Sequence, residues 1–146
     1  MTVRIERRAL HLAELIMDRP EALNALSTEQ ASRLAAAARE VAGQPGINAV
    51  IISSALERAV CVGADLKERA GGPPDSAPVV RAFERLMDVE VPTIAAVTGP
   101  ARAGGLGLMA SCDLVVVDRA VTFALTEVRI GVVAAMISVP ILRRVV

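Results

Sequence analysis

The sequence contains no tryptophan and no tyrosine, and its only aromatic residues are Phe83 and Phe123. Proteins that bind single-stranded nucleic acid stack bases on aromatic side chains, and this chain has too few of them to build such a platform. Its formal net charge is zero, and Lys67 is its only lysine, so the scattered arginines form no basic stripe for a phosphate backbone. The sequence therefore argues against a nucleic-acid partner.

The sequence also lacks segments that would hold the chain in a membrane. One charge-free run, residues 130–142, has 13 residues and contains Pro140, whereas a membrane-spanning helix needs about 20 apolar residues. Residues 1–8 are charged and lack the apolar stretch of a secretory signal peptide. We expect a soluble, cytoplasmic protein without membrane insertion.

Cysteine and histidine are scarce. Cys61 and Cys112 do not have the spacing of a metal or redox motif, and we expect both to pack in the core. His11 is the only histidine and lies far along the chain from the glycine-rich segment described below, which argues against a catalytic role. We expect no metal site.

Hydrophobic residues make up 53% of the chain, whose length suits one domain. The first third predicts a β-α-β unit. Residues 3–17 favour one or two strands, and Ser27 with Gln30 predicts a capping box at the start of a helix over 28–42. Residues 47–53 are β-branched and apolar, as expected of a strand covered on both faces.

The rest of the chain predicts shorter elements. Residues 64–70 and 79–88 favour helices, and the intervening stretch 71–78 is rich in glycine and proline, which suggests a mobile lid. Strands are predicted over 94–97, 114–117 and 121–124. A short apolar helix is predicted between the first two of these strands.

The segment that leads into this helix is the most informative part of the sequence. Gly104, Gly105 and Gly107 let the backbone come close to a ligand, and the unpaired N–H groups of a helix's first turn attract negative charge. The glycines are equally compatible with tight packing alone. Residues 105–110 also match the dinucleotide-binding pattern G-x-G-x-x-A, although Gly105 lies eight residues beyond Val97 rather than directly after a strand.

Five sequence blocks occur in an order that is typical of one family. The blocks are Asp18-Arg-Pro-Glu-Ala-Leu-Asn-Ala-Leu26, Val62-Gly-Ala-Asp-Leu-Lys-Glu-Arg69, Pro92-Thr-Ile-Ala-Ala-Val97, Ala103-Gly-Gly-Leu-Gly-Leu-Met-Ala-Ser-Cys-Asp113 and Phe123-Ala-Leu-Thr-Glu-Val-Arg-Ile-Gly131. Together they span residues 18–131, and on them the chain resembles the enoyl-CoA hydratase/isomerase (crotonase) superfamily.

This resemblance implies an α/β fold, a crotonase-like spiral of repeated β-β-α units that is C-terminally truncated relative to the family. Residues 1–146 would form an incomplete acyl-CoA-binding core. The implied ligand is an acyl-CoA thioester, and no separate cofactor is implied because coenzyme A is part of the substrate. The family also implies a homo-oligomer, provided that the shortened chain keeps the interface.

The resemblance further implies the residues of the site. The backbone N–H groups of Ala64 and Gly104 would hold the thioester oxygen, because two fixed donors stabilise the negative charge that develops there. Glu127 would be the catalytic acid and base. The matched positions that would contact coenzyme A are Ala22, Asp65, Leu66 and Lys67.

Glu127 matches the second of the two glutamates that the family's hydratases use, whereas Gly107 lies at the position of the first, and residues 132–136 replace the usual proline and glycines after Glu127. Taken over all five blocks, the resemblance implies an enoyl-CoA hydratase or isomerase of fatty-acid or branched-chain metabolism. One carboxylate suits isomerisation better than hydration. The alternative is a non-catalytic relative that only binds acyl-CoA or takes part in assembly.

Overall fold

The computed structural model describes residues 2–9, 11–69 and 75–145. Besides short 3₁₀ helices at Pro20–Ala22 and Glu127–Ile130, this part of the chain forms strands and α-helices, numbered here in chain order. The strands are β1 (Val3–Ala9), β2 (Leu12–Met17), β3 (Ala49–Ser54), β4 (Thr93–Val97), β5 (Ala101–Arg102), β6 (Leu114–Val117) and β7 (Phe123–Ala124), and the helices are α1 (Thr28–Ala42), α2 (Leu66–Arg69), α3 (Ala77–Met87), α4 (Gly104–Ala110) and α5 (Ala135–Val145).

The main sheet has the strand order β1-β2-β3-β4-β6. Strands β1 and β2 are antiparallel, and each later neighbour is added in parallel. Parallel neighbours need a crossover connection, which α1 supplies between β2 and β3 and α4 supplies between β4 and β6. This arrangement confirms the predicted β-α-β unit. Strands β5 and β7 form a separate parallel pair that lies beside the site.

Helix α1 follows its local sequence signals. The Ser27 hydroxyl accepts a hydrogen bond from the Gln30 backbone N–H, and the helix ends at Gly43 as predicted. The second half of the predicted capping box is wrong, because the Gln30 side chain is buried without a hydrogen-bond partner among the described residues. Leu34 and Val41 bury the inner face of α1 in the core.

The structure corrects several predicted boundaries. Helix α3 begins at Ala77, two residues before the predicted start, because Pro78 is tolerated in a helix's first turn. Residue 70 of the predicted helix over 64–70 and residues 71–74 of the predicted lid over 71–78 lie outside the described residues. Strand β7 has two residues instead of the predicted four, and β5 was not predicted at all.

Helix α5 was also not predicted, because Pro140 lies inside it. Tertiary contacts fix this helix. The Arg144 guanidinium donates to the backbone oxygens of Ala110 and Cys112 at 3.1 and 2.6 Å, and so satisfies carbonyls at the C-terminal end of α4. Helix α5 is thereby held against α4, which carries one side of the candidate site.

Both cysteines are buried in the core, as predicted. Burial raises the pKa of each thiol to about 12. The thiols are therefore protonated at neutral pH and act as small apolar side chains.

Much apolar surface remains exposed at the edge of the main sheet and beyond it. All four side chains of β6 are exposed, from 40% for Val117 to 64% for Val116. In the apolar run 132–142, Val133 is 83% exposed, whereas Ile137 and Pro140 are buried. Exposed apolar surface of this kind is unusual on an isolated domain and is typical of an interaction surface.

Candidate active site

A cavity of about 280 Å³ opens between the α2 region, the start of α4 and the segment 126–137. Aliphatic side chains form most of its wall, and a few polar groups converge on it, as is usual for small-molecule sites. Its lining includes Ala64, Asp65, Leu66, Gly104 and Glu127, five of the seven site residues predicted from the sequence.

The backbone N–H of Ala64 has a direction fixed by its own peptide unit. The Gly63 carbonyl accepts a hydrogen bond of 2.6 Å from the Leu26 N–H. No described peptide bond is cis, and in a trans peptide the C=O and the following N–H point in opposite directions. The Ala64 N–H therefore points away from Leu26. It donates no hydrogen bond within the described part of the chain.

Gly63 permits this loop conformation. Its φ is +102°, and a Cβ built on it would lie 2.7 Å from the Ala103 Cβ. Only glycine combines that backbone conformation with so close an approach. Ala103 itself has φ of 47°, which is strained for a residue with a side chain. The strain lies directly before the first residue of α4.

The backbone N–H of Gly104 belongs to the first turn of α4, where helical N–H groups have no partner within the helix. No described residue accepts a hydrogen bond from it. A Cβ built on Gly104 would lie 3.4 Å from the Gly63 Cα. The peptide backbones that carry the Gly104 and Ala64 amides are therefore neighbours in space and open onto one cavity.

Strand pairing brings Glu127 to the same cavity. Strands β5 and β7 are parallel, and the Ala103 N–H continues their pairing with a 3.1 Å hydrogen bond to the Ala124 carbonyl. Glu127 follows β7 by three residues and starts a 3₁₀ helix. Its Oε2 atom is buried and has no hydrogen-bond partner among the described residues. A buried carboxylate oxygen without a partner is costly and needs an explanation, and Glu127 is one of the residues that line the cavity.

Asp65 lies in the cavity wall, but its carboxylate is occupied. Oδ2 forms a 2.7 Å ion pair with Arg19, and Oδ1 accepts the Lys67 backbone N–H at 2.9 Å. Burial raises the pKa of this carboxyl, but the hydrogen bonds from Arg19 and Lys67 outweigh it and hold the pKa below its usual range. Sequence reasoning missed Arg19, although it stands in the block 18–26.

The other predicted contacts to coenzyme A are spread out. Leu66 lines the cavity and is 55% exposed. Ala22 lies in the first 3₁₀ helix and Lys67 is exposed on α2, and neither is in the cavity lining. Their contacts with coenzyme A stay predictions.

Gly107 has no room for a side chain. A Cβ built there would lie 2.7 Å from the Ile137 Cγ2 and 2.9 Å from two ring carbons of Phe83. Phe83 and Ile137 are both buried, so apolar atoms occupy the space that a side chain at 107 would enter. The packing of α3, α4 and α5 therefore leaves no space for a carboxylate side chain at position 107.

The sequence profile of the enoyl-CoA hydratase/isomerase family matches residues 7–146. A Thermus thermophilus protein that carries the provisional name enoyl-CoA hydratase is 41% identical over 92% of this chain and 56% of its own length. The solved enoyl-CoA hydratase of Mycobacterium smegmatis is 27% identical with a TM-score of 0.89, over 98% of this chain and 58% of that one. That of Bacillus anthracis is 26% identical with a TM-score of 0.87, over 93% and 55%.

The chain therefore belongs to the enoyl-CoA hydratase/isomerase family and has the crotonase-like fold that the sequence predicted. It spans about half the length of the relatives it matches. In the part of the chain that the structure describes, no helix has the length and apolar character needed to cross a membrane. Among those same residues, no group of three or more His, Cys, Asp or Glu side chains could hold a metal ion.

Proposed function

We propose that this chain binds acyl-CoA thioesters in the cavity and catalyses proton transfer at the carbon next to the thioester carbonyl. The observation that carries the proposal is that one cavity is lined by Ala64 and Gly104, whose amides have no partner among the described residues, and by Glu127, whose Oε2 atom is buried without a partner. Family membership supports an acyl-CoA substrate.

The two amides form the oxyanion site in this proposal. Removing a proton from C2 of a thioester moves negative charge onto the carbonyl oxygen, and N–H donors already in place stabilise that charge without reorganisation. Each donor is a backbone group fixed by neighbouring structure, Ala64 by the hydrogen bond of its peptide to Leu26 and Gly104 by the start of α4. The mostly aliphatic wall lowers the local dielectric constant and so strengthens both interactions.

Glu127 is the acid and base. In a 3-enoyl thioester its carboxylate removes a proton from C2, the electrons move onto the thioester oxygen, and the carboxyl group then donates a proton at C4. The double bond then lies between C2 and C3. This sequence balances with one carboxylate and no second reactant.

Hydration needs a water molecule held beside the double bond, a task that a second carboxylate would assist. At Gly107 the packing of Phe83 and Ile137 leaves no space for one. We therefore infer that isomerisation is favoured over hydration. Fatty-acid or branched-chain metabolism, cytoplasmic location and association into a homo-oligomer belong to the same proposal, as does the assignment of residues 1–146 to the acyl-CoA-binding core.

The reaction preference is tested with 2-enoyl-CoA and 3-enoyl-CoA of equal chain length. We expect the protein to move the double bond between the two positions and to form 3-hydroxyacyl-CoA at least about tenfold more slowly, because one carboxylate suffices for the first reaction only. Liquid chromatography of the thioesters separates the products. Hydration as fast as isomerisation would contradict the single-carboxylate assignment, and binding without either reaction would favour the non-catalytic alternative.

The packing at Gly107 gives a separate prediction about stability. Gly107→Ala places a Cβ against Ile137 and Phe83, so we expect the free energy of unfolding to fall by about 1–3 kcal/mol. Gly43→Ala is the matched control, because its Cβ would have only ordinary contacts at 3.7 Å. Urea denaturation measures both. Adding Ile137→Ala to Gly107→Ala should make the alanine at 107 less costly, and an unchanged cost would show that Ile137 does not fill this space.

A further inference from the structure

Arg19 is mostly buried, and its side chain joins two segments that are far apart in the sequence. Nη2 lies 2.7 Å from the Asp65 Oδ2, and Nη1 donates to the Ala25 carbonyl at 3.1 Å. Its side chain is 18% exposed and that of Asp65 is 7% exposed. The guanidinium therefore bridges the segment 19–26 to the segment that carries the Ala64 amide.

The backbones of these segments are paired at the point where Arg19 bridges them. Leu26 donates to the Gly63 carbonyl at 2.6 Å and accepts from the Asp65 N–H at 3.1 Å. These two bonds fix the peptide units on both sides of Ala64. A change in the separation of the two segments would turn the Gly63–Ala64 peptide and with it the Ala64 N–H.

The other end of the same segment is held by Asn24. This side chain is fully buried, and its amide nitrogen donates to the Val60 carbonyl at 3.1 Å. Asn24 is in turn tied to Arg19, whose backbone N–H donates to the Asn24 Oδ1 at 2.8 Å. The segment 60–65 is thus held at both ends, and Arg19 takes part in each attachment.

We propose that Arg19, through its ion pair with Asp65, is a positioning residue that sets the direction of the Ala64 N–H in the oxyanion site. This inference rests on the proposed function of that site. It gives Asp65 a role in supporting the loop rather than in contacting coenzyme A, because both of its oxygens already have partners. The lowered pKa of Asp65 agrees with a carboxylate that stays ionised beside Arg19.

The test compares Arg19→Gln, Asp65→Asn and the double variant with wild type, using isomerisation of 3-enoyl-CoA. We expect kcat to fall about tenfold or more in each single variant, with KM changed less than about threefold, since misplacement of one donor weakens the transition state more than substrate binding. The double variant should be no slower than the slower single variant, because both changes remove one ion pair. Arg19→Lys should recover part of kcat.

Glu21→Gln is the matched control. Glu21 also pairs with Arg19, at 3.2 Å, but its side chain is 68% exposed, and its ion pair within the described residues is with Arg19 rather than with the segment 60–65. We expect this variant to keep the kcat of wild type. Equal kcat in Arg19→Gln and Glu21→Gln would overturn the positioning role, as would a rise in KM with kcat unchanged.

A second measurement does not depend on activity. The Leu26 and Asp65 amides donate the two bonds that bracket Ala64, so hydrogen exchange at both should accelerate at least about tenfold in Arg19→Gln and stay unchanged in Glu21→Gln. Inactive wild-type protein with this exchange pattern would contradict the proposed function but support the positioning role of Arg19. Unchanged exchange in Arg19→Gln would overturn that positioning role, whatever the activity.

Discussion

Replacing Glu127 by glutamine is expected to remove proton transfer and to leave acyl-CoA binding intact. The amide has the size and hydrogen-bonding capacity of the acid but cannot accept the C2 proton. Positioned acids and bases contribute about 10²–10⁴-fold to rate, and we expect a loss in that range for isomerisation of 3-enoyl-CoA. Calorimetric titration with a saturated acyl-CoA should give a dissociation constant within about threefold of wild type.

Glu68→Gln is the control for this change. Glu68 lines the same cavity, but it accepts the Thr28 backbone N–H at 2.8 Å, a bond that a glutamine oxygen also accepts. We expect its activity to stay close to wild type. If Glu127→Gln retained full activity, the proton would have to be moved by another group.

Gly104→Pro is expected to have the second-largest effect. Proline deletes the backbone N–H at the first position of α4, a helix position that tolerates it. Loss of one oxyanion donor costs about 10²–10³-fold in rate. Gly104→Ala is the matched control, because its Cβ meets the same Leu26 Cδ1 atom at 3.1 Å while the N–H is retained.

We expect the alanine variant to lose much less activity than the proline variant, although both tighten the contact with Leu26. Circular dichroism and thermal unfolding should show that both variants fold. Equal rates in two folded variants would remove the Gly104 amide from the site and leave Ala64 without a second donor.

Local signals explain why α1 was predicted to the residue. Ser27 starts this helix and Gly43 ends it, and each acts through hydrogen bonds to its own neighbours in the sequence. Helix α5 depends on distant partners instead, since Arg144 reaches α4 and Ile137 packs against Gly107. Because proline normally ends a helix, propensity rules do not predict a helix that has a proline in its interior. The two-residue strand β5 likewise depends on partners that are distant in the sequence, β7 and Cys61.

The candidate site was likewise predicted in part, from local sequence and family resemblance. The glycine segment predicted a backbone site, and family resemblance supplied Ala64 and Glu127. Neither could reveal that Arg19 meets Asp65 across 46 positions, or that Phe83 and Ile137 fill the space beside Gly107. These contacts join residues that are distant in the sequence, so no local sequence pattern predicts them.

Deuterium exchange at C2 of a saturated acyl-CoA tests the central claim most directly, because it needs the oxyanion site and the base but neither water addition nor a double bond. Butyryl-CoA is incubated with the protein in heavy water and analysed by mass spectrometry. We predict deuterium at C2 in wild type, at a rate about 10²-fold or more above Glu127→Gln and Gly104→Pro. Bound butyryl-CoA that exchanges no faster than in buffer would contradict the account.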